Sequence, residues 1–373
     1  MTPRETILAI EQELNAAFLE RREITRGMMV AMLAGEHVLL LGVPGSAKSA
    51  IVRDLCNRLQ GSYFEWLLTK FSKPEELFGP ISLKALENDS YRRITKGKLP
   101  EAEIAFLDEI FKANSAILNA LLRVLNERLY DNDGTATRVP LLTCVGASNE
   151  MPEGEELAAL FDRFMVRYNV AWIRDPRNFE ALLAGADRAP ATYTGFSKAD
   201  LIAAQSEVAK VDVAKIRPQL LTLWQTIRQK NIPISDRRWK SCLKLLKAHA
   251  WLEGRSAAQD DDLEALAPAL WTEPGQINEV RAVIMQLANP LNQEAVALLD
   301  DAMEQVQIAT NAKPEEQVKA GMETLSKLRF AGKKLADLKS KAQTMGKSDA
   351  RITEALEQVT GWAEEVTAKC LKI

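Results

Sequence analysis

Two short stretches of this chain carry the residue types that phosphate chemistry needs. The first is Gly42-Val43-Pro44-Gly45-Ser46-Ala47-Lys48-Ser49. Polyphosphate is a concentrated anion. Backbone N–H groups at the start of a helix point at such an anion, and the helix dipole favours it. Lys48 adds a point charge for the terminal phosphates, and the Ser49 hydroxyl is placed to bind Mg²⁺. The second stretch is Asp108-Glu109. Asp108 would hold Mg²⁺, directly or through water, opposite Ser49. Glu109 would accept a proton from an attacking water or orient it. Each stretch has a plainer reading: an ordinary strand-loop-helix for the first, polar capping of a strand end for the second. Their occurrence together, at a spacing normal for nucleotide-hydrolysing domains, favours chemistry.

The elements that must position these residues are legible. Val38 to Leu41 is a short apolar run closed by Gly42, which predicts a strand buried on both faces. Ala47-Lys48-Ser49 opens a helix that continues through Ala50, Ile51, Val52, Leu55 and Leu59. Ala47 stands where the pattern G-x-x-x-x-G-K-S/T has its second glycine. A methyl group there is tolerable at negative φ and costly at positive φ. Ile104 to Leu107 predicts another buried strand, with Asp108-Glu109 at its C-terminal end, the edge where open α/β sheets bind ligands. Leu141 to Ala147 predicts a further strand. Asn149, at its tip, can hydrogen-bond a γ-phosphate or the water; its plainer role is to cap a turn.

The rest of the first half reads as support. Thr2 to Gly35 predicts two helices, the second ended by Gly35. Ser62 to Leu68 reads as a strand. Ser72-Lys73-Pro74-Glu75 has the form of a capping box with Ser72 as N-cap. Ile81–Leu86 and Tyr91–Thr95 are expected to pair as a hairpin around Glu87-Asn88-Asp89-Ser90. Ala116 to Leu129 is an amphipathic helix, and Asp133-Gly134 marks a second hairpin. Asp162-Arg163-Phe164 follows, with Arg167 expected one helical turn on. Asp–Arg pairs are mostly surface ion pairs of small worth. At this position Arg163 reads as a charge reaching a neighbouring subunit's nucleotide, with Arg167 as the substitute.

Residues Asp175 to Thr272 are expected to form a helical second domain. One of its helices opens at Ser235-Asp236-Arg237-Arg238, with Ser235 or Asp236 as N-cap. Two arginines in a first turn oppose the macrodipole, so they suggest a bound anion, with a phosphate the obvious one; the alternative is two solvated arginines. Thr272-Glu273-Pro274-Gly275 marks a linker. Beyond it, Leu328, Ala331, Leu335, Leu338, Ala342 and Met345 follow a heptad, and a second run starts at Ile352. Gly346 to Asp349 separates the two, with Ser348 or Asp349 as N-cap. A helical hairpin completed to a bundle by Val283 to Val306 is expected.

Composition narrows the classes. The 373 residues are 47% hydrophobic and carry a net charge of −3, which allows sizeable cores and gives bulk charge no reason to favour nucleic acid. Cys56, Cys144, Cys242 and Cys370 are far apart, so neither a disulfide framework nor a zinc site is expected. With two histidines, His-based metal sites and triads have little to draw on. No apolar run suits a membrane span and no signal-peptide pattern opens the chain, so a soluble cytoplasmic protein is expected.

In this order the motifs resemble an AAA+ ATPase of the MoxR branch, with the RavA group nearest. The resemblance rests on Gly42 to Ser49, Phe71 to Gly79, Leu99 to Lys112, Asn126-Glu127-Arg128, Ala147 to Glu150, Asp162-Arg163 and Ser235 to Trp239. It spans roughly the first three quarters of the chain. It implies an α/β ATPase core with a parallel sheet at 1–175, an α-helical lid at 176–272 and a C-terminal helical domain at 273–373. It implies ATP and Mg²⁺, and a ring, usually a hexamer, with each ATP site shared between two subunits. It implies that Ile81 to Thr95 is the insertion characteristic of the branch. Arg163 would be the arginine finger and Arg237 the second sensor, with Arg238 as the alternative. Ala47 resembles what RavA-like sequences carry. Similar proteins often work with a von Willebrand factor A-domain partner on a protein client, in metal insertion or complex assembly. RavA-like chains also carry a β-rich module in their C-terminal helices, and no strand run here matches one. An ATP-hydrolysing remodeller is the reading; a nucleotide-gated assembly platform, in which binding rather than turnover matters, is the alternative.

Overall fold

A computed structural model describes residues 1–185, 193–313, 315–345 and 347–371. Its centre is a five-stranded parallel sheet built from β1 (Val38–Gly42), β2 (Tyr63–Leu67), β3 (Ile104–Asp108), β4 (Thr143–Ser148) and β5 (Val166–Val170), in the order β2-β3-β4-β1-β5. The apolar runs of β1 and β3 are buried along their length, as a sheet covered on both faces requires. Because every strand runs the same way, Gly42, Asp108 and Ser148 end on one edge of the sheet. The two candidate motifs therefore meet without any loop having to carry them together.

The covering helices follow the sequence signals. Pro3–Ala17 starts from a Thr2–Glu5 capping box. Arg22–Ala34 ends at Gly35 in the left-handed region. Ser115–Glu127 is capped by Asn114, whose side chain accepts from the Ile117 N–H at 3.2 Å. The Asp133-Gly134 hairpin pairs Leu129–Asn132 with Thr135–Arg138.

Other local expectations are corrected. Ser72 does not cap: its hydroxyl accepts from the Thr69 N–H at 3.0 Å, and the helix Pro74–Phe78 takes Lys73 as N-cap with no side-chain bond. The expected hairpin at 81–95 closes only at its base, through one antiparallel bridge between Ile81 and Arg93. Ser82 instead caps a short helix, Leu83–Leu86, by accepting from the Ala85 N–H, so a local cap wins over strand pairing. Arg167 lies on strand β5 and not a helical turn beyond Arg163.

The chain divides into two compact units. The first comprises Met1–Lys215, Pro233–Ala258 and Pro268–Pro274 and holds the sheet. The second comprises Ile216–Ile232, Gln259–Ala267 and the residues from Gly275 onward. In the second unit, helices Pro290–Thr310, Gln317–Thr344 and Ala350–Val366 pack around Leu328, Leu335, Leu338, Ile352, Val359 and Trp362. Val283 to Val306 is not one helix. It breaks at Asn289-Pro290, where proline cannot supply the N–H that continuation needs. Met345 leaves the expected heptad and is exposed, and Gly346 lies outside the described residues. Asp349 is the N-cap of the last helix without a capping bond, its carboxylate accepting from Gln343. All four cysteines are free and buried.

Candidate functional site

The phosphate loop leaves β1 at Gly42, where a Cβ would stand 2.2 Å from the Val170 carbonyl oxygen of the neighbouring strand. Only glycine allows β1 and β5 to approach this closely while the chain turns at φ +142°. Ala47 then takes φ +63° and ψ +19°, the left-handed conformation that an L-residue enters at a cost of about 1–2 kcal/mol. Its methyl group is exposed, so packing does not offset the strain. Strain of this kind belongs to sites that other contacts over-determine.

Those contacts are present. The Lys48 ammonium donates to Gly42 O at 2.7 Å, Val43 O at 2.9 Å and Asn149 Oδ1 at 2.8 Å. All three of its protons are thereby used on neutral acceptors. Burial pulls the Lys48 pKa down, against the opposing pull of Asp108 and Glu109. The Ser46 hydroxyl donates to Val43 O at 2.8 Å and tightens the same curl. Outside it, Arg21 donates to Ser46 O at 3.2 Å and Ala171 O at 2.7 Å, and the Trp172 indole donates to Pro44 O at 3.1 Å. Sequence reasoning passed over Arg21 and Trp172, because neither sits in a motif.

The carboxylates face this loop. Ser49 donates its hydroxyl to Asp108 Oδ2 at 2.9 Å, and the Glu109 N–H holds Asp108 Oδ1 at 3.0 Å. Glu109 itself is left-handed at φ +51°. Its Oε1 accepts from the Asn149 amide, and its Oε2 is buried with no hydrogen-bond partner. An orphaned carboxylate oxygen needs a donor. A hydroxyl and a carboxylate in contact are the hard oxygens Mg²⁺ takes, and an ammonium held only by neutral acceptors is ready for an anion. The residues present fit a magnesium nucleotide, with Glu109 Oε2 left open to a donor beside them.

The arginines gather elsewhere, on Asp162. Arg238 is buried and spends all five N–H groups: on Asp162 Oδ1 (3.2 Å), Asp162 O (3.0 Å), Phe164 O (3.0 Å), Met165 O (2.8 Å) and Ala269 O (3.0 Å). It has nothing left for a nucleotide, so Arg238 is not available as the second sensor. Arg167 is 1% exposed, donates to Phe161 O, Phe164 O and Trp271 O, and lies over the Phe161 ring. It is excluded as a substitute finger on the same ground. Arg237 is half exposed and bonds Asp162 Oδ2 and Asn126 Oδ1. Arg163 reaches Asp162 Oδ2 only at 3.8 Å, and its buried Nε has no hydrogen-bond partner. Burial pushes the Asp162 carboxyl up, but Arg238, Arg237 and Arg167 together hold it below the usual range.

The structure thus joins Lys48, Ser49, Asp108, Glu109 and Asn149 in one cluster, and Arg163 with Arg237 in another. Among the described residues, neither of those guanidiniums donates to the phosphate loop. The bound phosphate expected beside Arg237 and Arg238 is corrected: the anion they face is the carboxylate of Asp162, seventy-odd positions earlier in the chain, and Ser235 is the N-cap.

Residues 5–209 match the family described as the MoxR domain in the MoxR-vWA-beta-propeller ternary systems, and residues 211–284 match an AAA lid domain. An uncharacterized protein of Methanocaldococcus jannaschii is 38% identical, over 96% of this chain and 97% of its own. The chaperone MoxR1 of Mycobacterium tuberculosis is 25% identical, over 53% of this chain and 52% of its own. A solved structure from Cytophaga hutchinsonii, provisionally assigned as an ATPase, shares the fold with a TM-score of 0.61 at 18% identity, covering 77% of this chain and 95% of that one.

Proposed function

The chain belongs to the MoxR family of AAA+ ATPases, and on that premise we propose that it hydrolyses ATP to remodel a protein client. The observation that carries the proposal is Glu109. Its unpartnered Oε2 stands next to a lysine and a Ser–Asp pair suited to phosphates and Mg²⁺. MgATP, when bound, supplies the phosphoryl group and a cation that neutralises its charge. Lys48 would exchange its carbonyl oxygens for terminal phosphate oxygens, and Ser49 with Asp108 would hold the metal. Glu109 takes the proton of the attacking water, and Asn149, already bonded to both Lys48 and Glu109, orients it. Such chemistry is mainly positioning and charge stabilisation.

Arg163 and Arg237 share one carboxylate and, among the described residues, make no bond to the loop at 42–49, which supports both acting on the nucleotide of a neighbouring copy. The proposal includes a ring, usually of six in similar proteins, in which such sharing would take place. The family's description supports a von Willebrand factor A-domain partner, and the relative called a chaperone supports an assembly role. The motifs favour the RavA group within the family. Among the described residues no helix is long and apolar enough to cross a membrane; we place the protein in the cytoplasm. The lid at 176–272 would move with the nucleotide, and the helices of 273–373, which hold none of these residues, would serve assembly. The test is phosphate release by the purified protein with MgATP. Tight binding with no turnover, with or without partner, would replace the remodeller by the nucleotide-gated platform.

A further inference from the structure

The Asp162 carboxylate is divided between two pairs of arginines. Oδ1 faces the buried pair, at 3.2 Å from Arg238 and 3.7 Å from Arg167. Oδ2 faces the partly exposed pair, Arg237 and, at 3.8 Å, Arg163. The two pairs differ in what they have left to give. Arg238 has used every donor, and Arg167 is sealed among backbone carbonyls and an aromatic ring. Arg237 has used two of five, and the Nε of Arg163 is unpartnered. The inner pair therefore fixes the plane of the carboxylate, and the carboxylate fixes where the outer pair stands. Four guanidiniums against one carboxylate leave the cluster strongly cationic. The outer pair can take a second anion without giving up the first.

We propose that Asp162 is the positioning residue that makes Arg163 and Arg237 a single unit, presented to a phosphate group on a second copy of this chain. Asp162 itself touches no nucleotide. It acts by holding two always-charged forks at one fixed place, so that a phosphate meets them with little reorganisation. The proposal rests on the trans reading of Arg163 given above.

Asp162→Asn keeps the shape but offers one acceptor oxygen where two are used, so one of the pairs must face an amide N–H₂. The expected result is MgATP affinity within about twofold of the parent and turnover lower by about 10²-fold, the scale of a misplaced catalytic group. The decisive step is mixing. Lys48→Ala subunits have no working pocket but an intact Asp162 cluster, and they should restore part of the turnover of Asp162→Asn subunits. Native mass spectrometry establishes that mixed assemblies form, and Arg163→Ala is carried in parallel. Wild-type turnover by Asp162→Asn would overturn the proposal. So would restoration of Arg163→Ala but not of Asp162→Asn, because Asp162 would then serve its own subunit's fold or pocket. Restoration of neither would remove the trans reading of Arg163 and the proposal with it. Should Asp162→Asn not fold, Asp162→Glu keeps the charge and shifts the oxygens by one methylene. It should show the same loss and the same rescue, and wild-type turnover by it would overturn the proposal.

Discussion

The two polar clusters of the first unit are incomplete in opposite senses. Around Lys48 the surplus is of acceptors: Asp108 and Glu109 face one ammonium, and the orphan is an oxygen, Glu109 Oε2. Around Asp162 the surplus is of donors: four guanidiniums share one carboxylate, and the orphan is a nitrogen, Arg163 Nε. Burial acts on both, lowering the pKa of Lys48 in one and of Arg163 in the other. Neither cluster is a finished site by the ordinary rule that buried polar groups find partners. The first has room for an anion and a water, and the second has donors to spare for an anion, which is the contrast the proposed sharing between copies builds on.

The comparison breaks most sharply at Lys48. Lys48→Ala should abolish MgATP binding by calorimetry, because the loop loses its only side-chain counterion for polyphosphate. Unchanged affinity would mean that the acceptor-rich cluster is not a nucleotide site. Next comes the donor-rich half: Arg163→Ala should bind MgATP normally and hydrolyse it about 10³-fold or more slowly, the scale of arginine fingers elsewhere. Loss of binding instead would place Arg163 in its own pocket. Glu109→Gln should retain ATP and slow turnover by about 10²–10⁴-fold, since the amide keeps the shape and cannot accept a proton. Wild-type turnover would end the role of the orphan oxygen. The smallest effect is structural. Ala47→Gly relieves a left-handed alanine and should raise stability by about 1 kcal/mol in chemical denaturation, with nucleotide affinity little changed. A loss of stability would show that the strain is absent.

Much of this was readable from the chain, and unevenly so. Strands β1, β3 and β4 announce themselves because both faces are buried and their central residues are uncharged and mostly apolar. Strand β5 was missed. Its sequence, Val-Arg-Tyr-Asn-Val, reads as too polar for a sheet, and only the structure reveals that the Arg167 guanidinium is hydrogen-bonded by backbone carbonyls from three directions. The acceptor cluster was legible because its members sit in two contiguous motifs. The donor cluster was half legible. The clash of Arg237 and Arg238 with a helix dipole signalled an anion, but no local pattern could say that Asp162 supplies it. The 81–95 segment departs for a different reason: the polar Glu87-Asn88-Asp89-Ser90 between two short runs predicts a hairpin, and the Ser82 cap turns the first run into a helix instead.

One further property follows from the buried cysteines. Burial pushes the Cys144 and Cys242 thiols up to about 12, and Cys56 higher still. Thiols so protonated and so enclosed carry almost no nucleophilic thiolate at neutral pH. Cys370 is buried too, with its thiol raised by burial, so the native thiols make a quiet background for maleimide chemistry. A single cysteine placed on the exposed hairpin, at Ala136, would take a fluorophore with no native thiol removed. Energy transfer between labelled copies would then follow association in real time.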